Sequence, residues 1–505
     1  MKVDGIRRAE GDPRGPGGEE SKIMHLTKEV FQQYPPIDLE AVDQLLKQEI
    51  ARNNKKIVVL DDDPTGVQTV HDISVYTGWD RESMLDGFSE KQKLFYILTN
   101  SRGVPAEQTA GMHREIAAAV DAAARESGRE YLLISRSDST LRGHYPLETE
   151  ILKDCYEANT GKTVDGEILC PFFKEGGRFT IGNVHYVQYG DTLIPANETE
   201  FAKDRTFGYT AATLPEYVEE KTGGRYRAED VVCISLKDIR ACAYDKIEAQ
   251  LMGVRDFNKI IVNAIDYSDI KVFCVSLYRA MNKGKVFMLR TAAAIVKVMG
   301  GISDRPLLTR EEMVTADVKT GGIIVAGSHT EKTTRQLEAL KELANIELIE
   351  LDARLVRDEK KFRAEVQRCL EQEEAWIRSG KTVCCYTTRA LITADTGDKE
   401  DELRLSTRIS DAVQSLVGGL SVTPSFVIAK GGITSSDIGT KALAVKKANV
   451  LGQIRPGIPV WQTGEESKFP RTPYVIFPGN VGEAETLRET AEILMGVEAG
   501  KKEKE

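Results

Sequence analysis

Asp61-Asp62-Asp63 follows the apolar run Ile57–Leu60 directly, with Pro64-Thr65-Gly66 behind it. Adjacent carboxylates repel one another, so this position calls for hydroxyl donors, cations or a metal ion. A carboxylate placed there could accept the proton of an attacking hydroxyl, as the base does in many kinases. Taken alone, the motif equally fits a solvated Asp-Pro turn with Thr65 as a helix cap. More specific is Ser135-Arg136-Ser137-Asp138-Ser139-Thr140-Leu141-Arg142-Gly143-His144, which crowds two arginines among hydroxyls. A guanidinium matches a carboxylate in a two-point contact, and hydroxyls suit a polyol chain. Arg102, in Thr99-Asn100-Ser101-Arg102, could complete a cationic pocket.

The second half offers different chemistry. No GxxxxGK[ST] loop exists, since Gly161-Lys162-Thr163 and Gly380-Lys381-Thr382 both lack the earlier glycine, and there is no GxGxxG. Instead, Gly327-Ser328-His329-Thr330 follows Ile323–Ala326 and leads into a helix beginning near Lys332. Free backbone N–H groups at such a start favour phosphate. Gly431-Gly432-Ile433-Thr434-Ser435-Ser436 repeats the design, and Pro478-Gly479-Asn480-Val481-Gly482 is a third glycine loop. Three such loops in one half point to a nucleotide. Between the two halves' motifs, the stretch from Cys170-Pro171-Phe172-Phe173 through Gly176-Gly177-Arg178 to His185 reads as a mobile loop able to cover a ligand. Cys170 and His185 within it read as structural residues.

The elements that must position these groups are short apolar runs followed by polar or glycine-rich residues. They are Lys56–Leu60, Leu94–Leu98, Tyr131–Ile134, Glu167–Leu169, Val231–Ile234 and Lys259–Val262, then Gly322–Ala326, Ile346–Leu351, Thr382–Tyr386, Ser425–Ala429 and Tyr474–Phe477. Helical patterns alternate with them, as at Ala106–Ser127 and Thr333–Ala344, after a lead-in helix over Asp38–Arg52. Alternation of this kind predicts an α/β fold: two domains, each a largely parallel sheet flanked by helices. Ligands of such sheets sit beyond the strands' carboxyl ends, where every motif above lies. The expected domains are a leader and lead-in helix (1–54), a first domain (55–305), a linker (306–320), a second domain (321–496) and a tail (497–505). Asp191–Glu229 reads as a loop or lid, and Val286–Val298 as an apolar helix broken by Arg290 and Lys297.

Bulk composition agrees with a soluble globular protein of 505 residues, 41% hydrophobic and 29% charged. A net charge of −10 argues against nucleic acid or an anionic membrane as partner. Eight scattered cysteines without CxxC spacing fit reduced thiols in the cytoplasm. The Gly-, Pro- and charge-rich residues 1–20 read as a disordered leader without a secretory core.

Taken together, DDPTG (Asp62–Gly66), SRSDSTLRGH (Ser135–His144), CPFFKEGGRFTIGNVHYV (Cys170–Val187), TEFAKDRTFGY (Thr199–Tyr209), AGSHTEKTTRQ (Ala326–Gln336), GGITSS (Gly431–Ser436) and FPGNVG (Phe477–Gly482) resemble the four-carbon acid sugar kinase family. The resemblance runs from about Lys55 to Leu494. It implies an N-terminal acid-sugar domain, a C-terminal ATP domain and an active site in the cleft between them. Asp62, Asp63, Arg102, Arg136, Ser137, Asp138 and Ser139 would hold the substrate, with Asp62 or Asp63 catalytic. Ser328, Gly431, Gly432, Ile433, Thr434 and Gly479 would hold the nucleotide. The family often has Lys where Arg136 stands, and its glycine loops often read SGSxS, GGxTSG and SGNFG. The function this implies is transfer of the γ-phosphoryl group of ATP, with Mg2+, to the terminal C4 hydroxyl of threonate, erythronate or 3-oxo-tetronate. On that reading Arg136 and Arg102 pair with the substrate carboxylate, and a homo-oligomer is compatible. Rival readings are a non-catalytic sensor of sugar acid and nucleotide, or a dehydrogenase or aldolase acting on related acids. The latter would need a nicotinamide fingerprint or a histidine cluster, and the sequence shows neither.

Overall fold

Ile57–Leu60 is at most 2% exposed, as a strand covered by helices on both faces must be. The computed structural model in which this is seen describes residues 24–314, 318–328, 330–389, 392, 399–479 and 481–497. The expected leader, the end of the tail, His329 and Asn480 lie outside the described residues.

The chain forms two compact units: the chain up to Gly66 with Trp79–Ser303, and Val67–Gly78 with Asp304 onward. In the first, seven parallel strands run in the order Val232–Ile234, Asn258–Val262, Gly166–Cys170, Phe287–Thr291, Tyr131–Arg136, Lys56–Asp61, Leu94–Leu98. Their register aligns Leu98, Asp61, Arg136, Thr291 and Cys170 in one row at the carboxyl ends. Helix Ala106–Ser127 ends on Gly128 at φ +65°, the left-handed conformation a helix stop requires. Helix Leu39–Arg52 starts on Asp38, whose carboxylate accepts from the Ala41 N–H at 3.2 Å. This helix packs into the first unit through Glu49, which takes Arg279 at 3.3 Å.

Three expectations for this unit are corrected. Val286–Val298 is a strand, Phe287–Thr291, followed by the helix Ala293–Met299. An apolar run in a buried strand has no period that separates it from a buried helix. The presumed mobile loop after Cys170 is a hairpin, Arg178–Ile181 with Val184–Tyr189, in a small antiparallel sheet with Thr192–Pro195 and Leu26–Thr27. Asp191–Glu229 is no loose lid. It contains the helix Leu214–Lys221 and buries Leu214, Tyr217 and Val218 in a cluster with Tyr209 and Leu169.

In the second unit, Ile346–Leu351, Thr382–Thr387, Ile323–Ala326, Val427–Lys430 and Pro473–Phe477 are parallel neighbours in that order. Ile458–Thr463, Lys447–Arg455 and Ile73–Tyr76 extend the sheet as antiparallel strands. Tyr386, Ala326, Lys430 and Phe477 form its carboxyl-end row. Part of the expected linker is core here, because Leu308 and Met313 are apolar and buried.

Candidate functional site

At the carboxyl row of the first unit, Asp61 and Arg136 stand opposite each other, and Arg136 Nη1 lies 3.0 Å from Asp61 Oδ1 and 3.5 Å from Asp62 Oδ1. Gly66 permits this, since a Cβ there would lie 2.0 Å from Asp61 Oδ2. Arg102 pairs with Asp63 and reaches Asp138 at 3.2 Å. Asp138 is also gripped by Arg142, through Nε at 2.9 Å and Nη2 at 3.1 Å. Behind them, Glu148 takes Arg290 Nη1 at 3.0 Å and the Ser101 hydroxyl at 2.5 Å.

The three aspartates differ sharply. Asp63 accepts from Thr65 Oγ1 at 2.6 Å and Thr65 N at 2.8 Å. Burial works to raise its pKa, yet Arg102 and Thr65 outweigh that and hold it below the usual range. Asp61, despite Arg136, is pushed up by burial to about 7. Asp62 is pushed up to about 6 by burial, against the pull of Arg102 and Arg136. Neither carboxylate oxygen of Asp62 receives a hydrogen bond from a described residue, although both are buried. An unbonded, buried carboxylate near neutrality is what a general base needs. Gly143, at φ +125°, leaves room for it: a Cβ there would lie 3.3 Å from Asp62 Oδ2 and 2.9 Å from Arg290 Nη2.

The geometry thus brings Asp62, Asp63, Arg102, Arg136 and Asp138 together. Ser137 is buried and Ser139 half-buried beside them, with the Ser139 carbonyl taking His185 Nε2 at 2.8 Å. Burial holds His185 down to about 4, which keeps the imidazole neutral as a strut. The Cys170 thiol is pushed up to about 12 by burial and is no nucleophile. Arg136 is engaged by Asp61 and Asp62, and Arg102 by Asp63 and Asp138, while the Arg136 Nε is buried without an acceptor among the described residues.

In the second unit, Gly327 meets Thr434 across the strand ends, where a Cβ on it would lie 2.8 Å from Thr434 Oγ1. Gly431 adopts φ +115°, closed to most side chains, and donates its N–H to the Phe477 carbonyl at 2.8 Å. A Cβ on Gly431 would sit 3.9 Å from Ser328 Cβ, and one on Gly479 would sit 3.9 Å from Gly431 Cα. Ser328, Gly431, Thr434 and Gly479 are therefore one cluster, and Gly432 opens the helix Gly432–Asp437 beside it. Ile433 is 72% exposed there. Two cations serve these loops. Lys430 Nζ donates to the carbonyls of Pro478 at 2.9 Å and Gly479 at 3.2 Å. Arg389 donates to the carbonyls of Ser328 at 2.5 Å and Thr330 at 3.2 Å.

Residues 57–299 match the model of a sugar-binding N-terminal domain, and residues 323–487 that of a nucleotide-binding C-terminal domain. The chain belongs to the four-carbon acid sugar kinase family. Its two-domain architecture is that of a sugar-acid kinase in general. No curated protein matches it. Its fold is similar to that of a Haemophilus influenzae protein, with 18% identity, a TM-score of 0.56, and 86% of this chain and 100% of that one covered. It is similar also to a Salmonella typhimurium LT2 protein proposed to be a tRNA synthase, with 14% identity, a TM-score of 0.59, and 86% and 98% covered. At such identities the likeness concerns the fold alone.

Within the sugar-binding domain of this family member, sequence reasoning took Asp61 only as one of three adjacent carboxylates, gave it no role of its own, and passed over Glu148 and Arg290 as site residues. Within the nucleotide-binding domain it passed over Lys430 and Arg389. The length of the apolar run Phe287–Leu289, short for a helix, was the one signal that could have marked Arg290 as a strand-end residue. Among the described residues no helix is long and apolar enough to cross a membrane.

Proposed function

We propose that this protein transfers the γ-phosphoryl group of ATP to the terminal C4 hydroxyl of a four-carbon acid sugar such as threonate, erythronate or 3-oxo-tetronate. The observation that carries the reading is Asp62, a buried carboxylate with two unbonded oxygens at the strand ends of the sugar-binding domain. It orients the acceptor hydroxyl and takes its proton as the oxygen attacks phosphorus, and the leaving group is ADP. Asp63, paired with Arg102 and bonded to Thr65, is a positioning residue that fixes the turn carrying Asp62. The hydroxyls of Ser137 and Ser139 make no hydrogen bond to a described residue and would meet the polyol. On the nucleotide side, Ser328, Gly431–Thr434 and Gly479 hold the phosphates through backbone that glycine lets come close.

Among the described residues no group of three or more His, Cys, Asp or Glu could hold a metal. Magnesium would be held chiefly through nucleotide phosphates and water, with one or two carboxylates. When bound it neutralises phosphate charge. Transfer requires that the γ-phosphoryl reach the hydroxyl at Asp62, which positioning and the exclusion of water would favour. The test is ADP release from ATP and magnesium with each tetronate stereoisomer and 3-oxo-tetronate. Folded protein that releases ADP with none of them refutes the proposal.

A further inference from the structure

The guanidinium groups around Asp62 are already ion-paired. Asp61, Asp62, Asp63, Asp138 and Glu148 supply five carboxylates, and Arg102, Arg136, Arg142 and Arg290 supply four guanidinium groups, each of them ion-paired within this set. With Asp61 pushed up by burial to about 7, the set is close to neutral, and a sugar acid entering it adds a negative charge that the four paired guanidinium groups do not balance. A further cation would balance it.

Arg178 meets that need. It opens the strand Arg178–Ile181, whose hairpin is tied to the Ser135–His144 segment through His185: Thr180 Oγ1 bonds His185 Nδ1 at 3.0 Å, and His185 Nε2 reaches the Ser139 carbonyl at 2.8 Å. The guanidinium lies 5.3 Å from the centre of the Phe201 ring, and that of Arg142, which grips Asp138, lies 5.1 Å from the same ring. Among the described residues no carboxylate pairs with Arg178. Its hydrogen bond goes to the Gly176 carbonyl, and its buried Nε has no acceptor. A guanidinium stacked on an aromatic face still presents its in-plane N–H groups at the edge, where a carboxylate takes two of them. Burial pulls the Arg178 pKa down, with Asp138 opposing, so an added anion beside it would be stabilised.

We infer that Arg178 binds the carboxylate of the sugar-acid substrate, beside the ion-paired guanidinium groups of Arg102, Arg136, Arg142 and Arg290. The inference rests on the proposed function for the identity of the acid, and it assigns the specificity for acids over neutral polyols to the Cys170–Val187 segment.

The experiment titrates full-length wild type, Arg178→Gln and Arg178→Lys with both enantiomers of threonate and of erythronate by calorimetry, then measures steady-state ADP release with any that bind. Losing a charge-assisted contact of this kind corresponds to about 10–100-fold in affinity. Arg178→Gln is expected to raise the tetronate Kd and KM by that factor with kcat changed less than about 3-fold and the ATP Kd unchanged, and Arg178→Lys to recover much of the loss. A tetronate Kd within 2-fold of wild type in Arg178→Gln overturns the inference. So does a loss in kcat at constant KM, or a lysine variant no better than the glutamine one, because either marks a structural role. Should Arg178→Gln fail to fold, the lysine variant decides: a tetronate Kd raised about 2- to 10-fold with ATP binding intact supports the inference, because the ammonium keeps the charge and loses the two-point contact, and a Kd within 2-fold of wild type or a larger loss refutes it. Wild type that binds a tetronate without turnover refutes phosphoryl transfer but leaves Arg178 judged by the same titration. Wild type that binds none refutes both.

Discussion

Replacing Asp62 by asparagine should make the protein more stable and nearly inactive at once. Burial raises the Asp62 pKa from 3.8 to about 6, so ionising this group costs about 3 kcal/mol more in the folded chain than in the unfolded one. Asparagine has nearly the same shape and carries no charge, so Asp62→Asn removes that cost. For a unit of this size the gain corresponds to a Tm rise of about 5 °C. The sign with pH follows from the direction of the shift. Below 3.8 both states hold the proton and variant and wild type are equally stable, and the advantage of the variant grows as pH rises towards 6 and is complete above it. Activity moves the other way, because a general base contributes about 100- to 10,000-fold to kcat. Scanning calorimetry at pH 4 and pH 7.5, with ADP release under saturating substrates, reads both effects. A destabilised Asp62→Asn, or one that keeps more than a tenth of wild-type kcat, would show that Asp62 is a structural anchor and not the base.

Wild-type kcat/KM for the acid sugar should fall on the acid side with an apparent pKa near 6, as Asp62 takes up a proton, and Asp63→Asn should leave that limb in place; the check is a pH–rate profile from 5 to 8. Gly143→Ala forces a side chain into a φ of +125°, with its Cβ 2.9 Å from Arg290 Nη2, and should lower kcat/KM at least about 10-fold while ATP affinity stays constant, as measured by nucleotide titration. Lys430→Met strands the carbonyls of Pro478 and Gly479, so it should cost about 1–3 kcal/mol of stability and weaken ATP binding, read by denaturant melts and calorimetry.

The parallel strands were legible because a strand covered on both faces must be apolar throughout, and Ile57–Leu60 or Ile323–Ala326 can be read off directly. What followed each strand was legible too, since loops at carboxyl ends have nothing to bury and are free to carry Asp62, Ser328 or Gly431. Partnership was not legible. Nothing local tells that Asp61 faces Arg136, or that Arg290 answers Glu148 across 142 residues, because register between distant strands decides both. The hairpin at Arg178 was hidden for a similar reason. Gly176-Gly177 looks like a loop from sequence, and the strand it feeds pairs with Val184–Tyr189, which in turn pairs with Thr192–Pro195.

The two domains handle charge in opposite ways, and the difference matches their ligands. The sugar-binding domain gathers carboxylates and guanidinium groups in nearly equal number, which makes a polar, almost neutral shell for a singly charged polyol acid. In such a shell the pairs fix geometry and contribute little net attraction, because each has already given up water. On the inference drawn for Arg178, discrimination falls to a cation outside the pairs. The nucleotide-binding domain does the reverse: Lys430 and Arg389 bond carbonyls and hydroxyls, and no carboxylate of a described residue is paired with either. Burial draws the Lys430 pKa down to about 7, a cost that a bound triphosphate would offset by favouring the ammonium form. At pH 8, ATP binding should therefore take up a proton in wild type and not in Lys430→Met, seen as a binding enthalpy that varies with the ionisation enthalpy of the buffer. Equal buffer dependence in the two proteins would mean that Lys430 does not sense the phosphates.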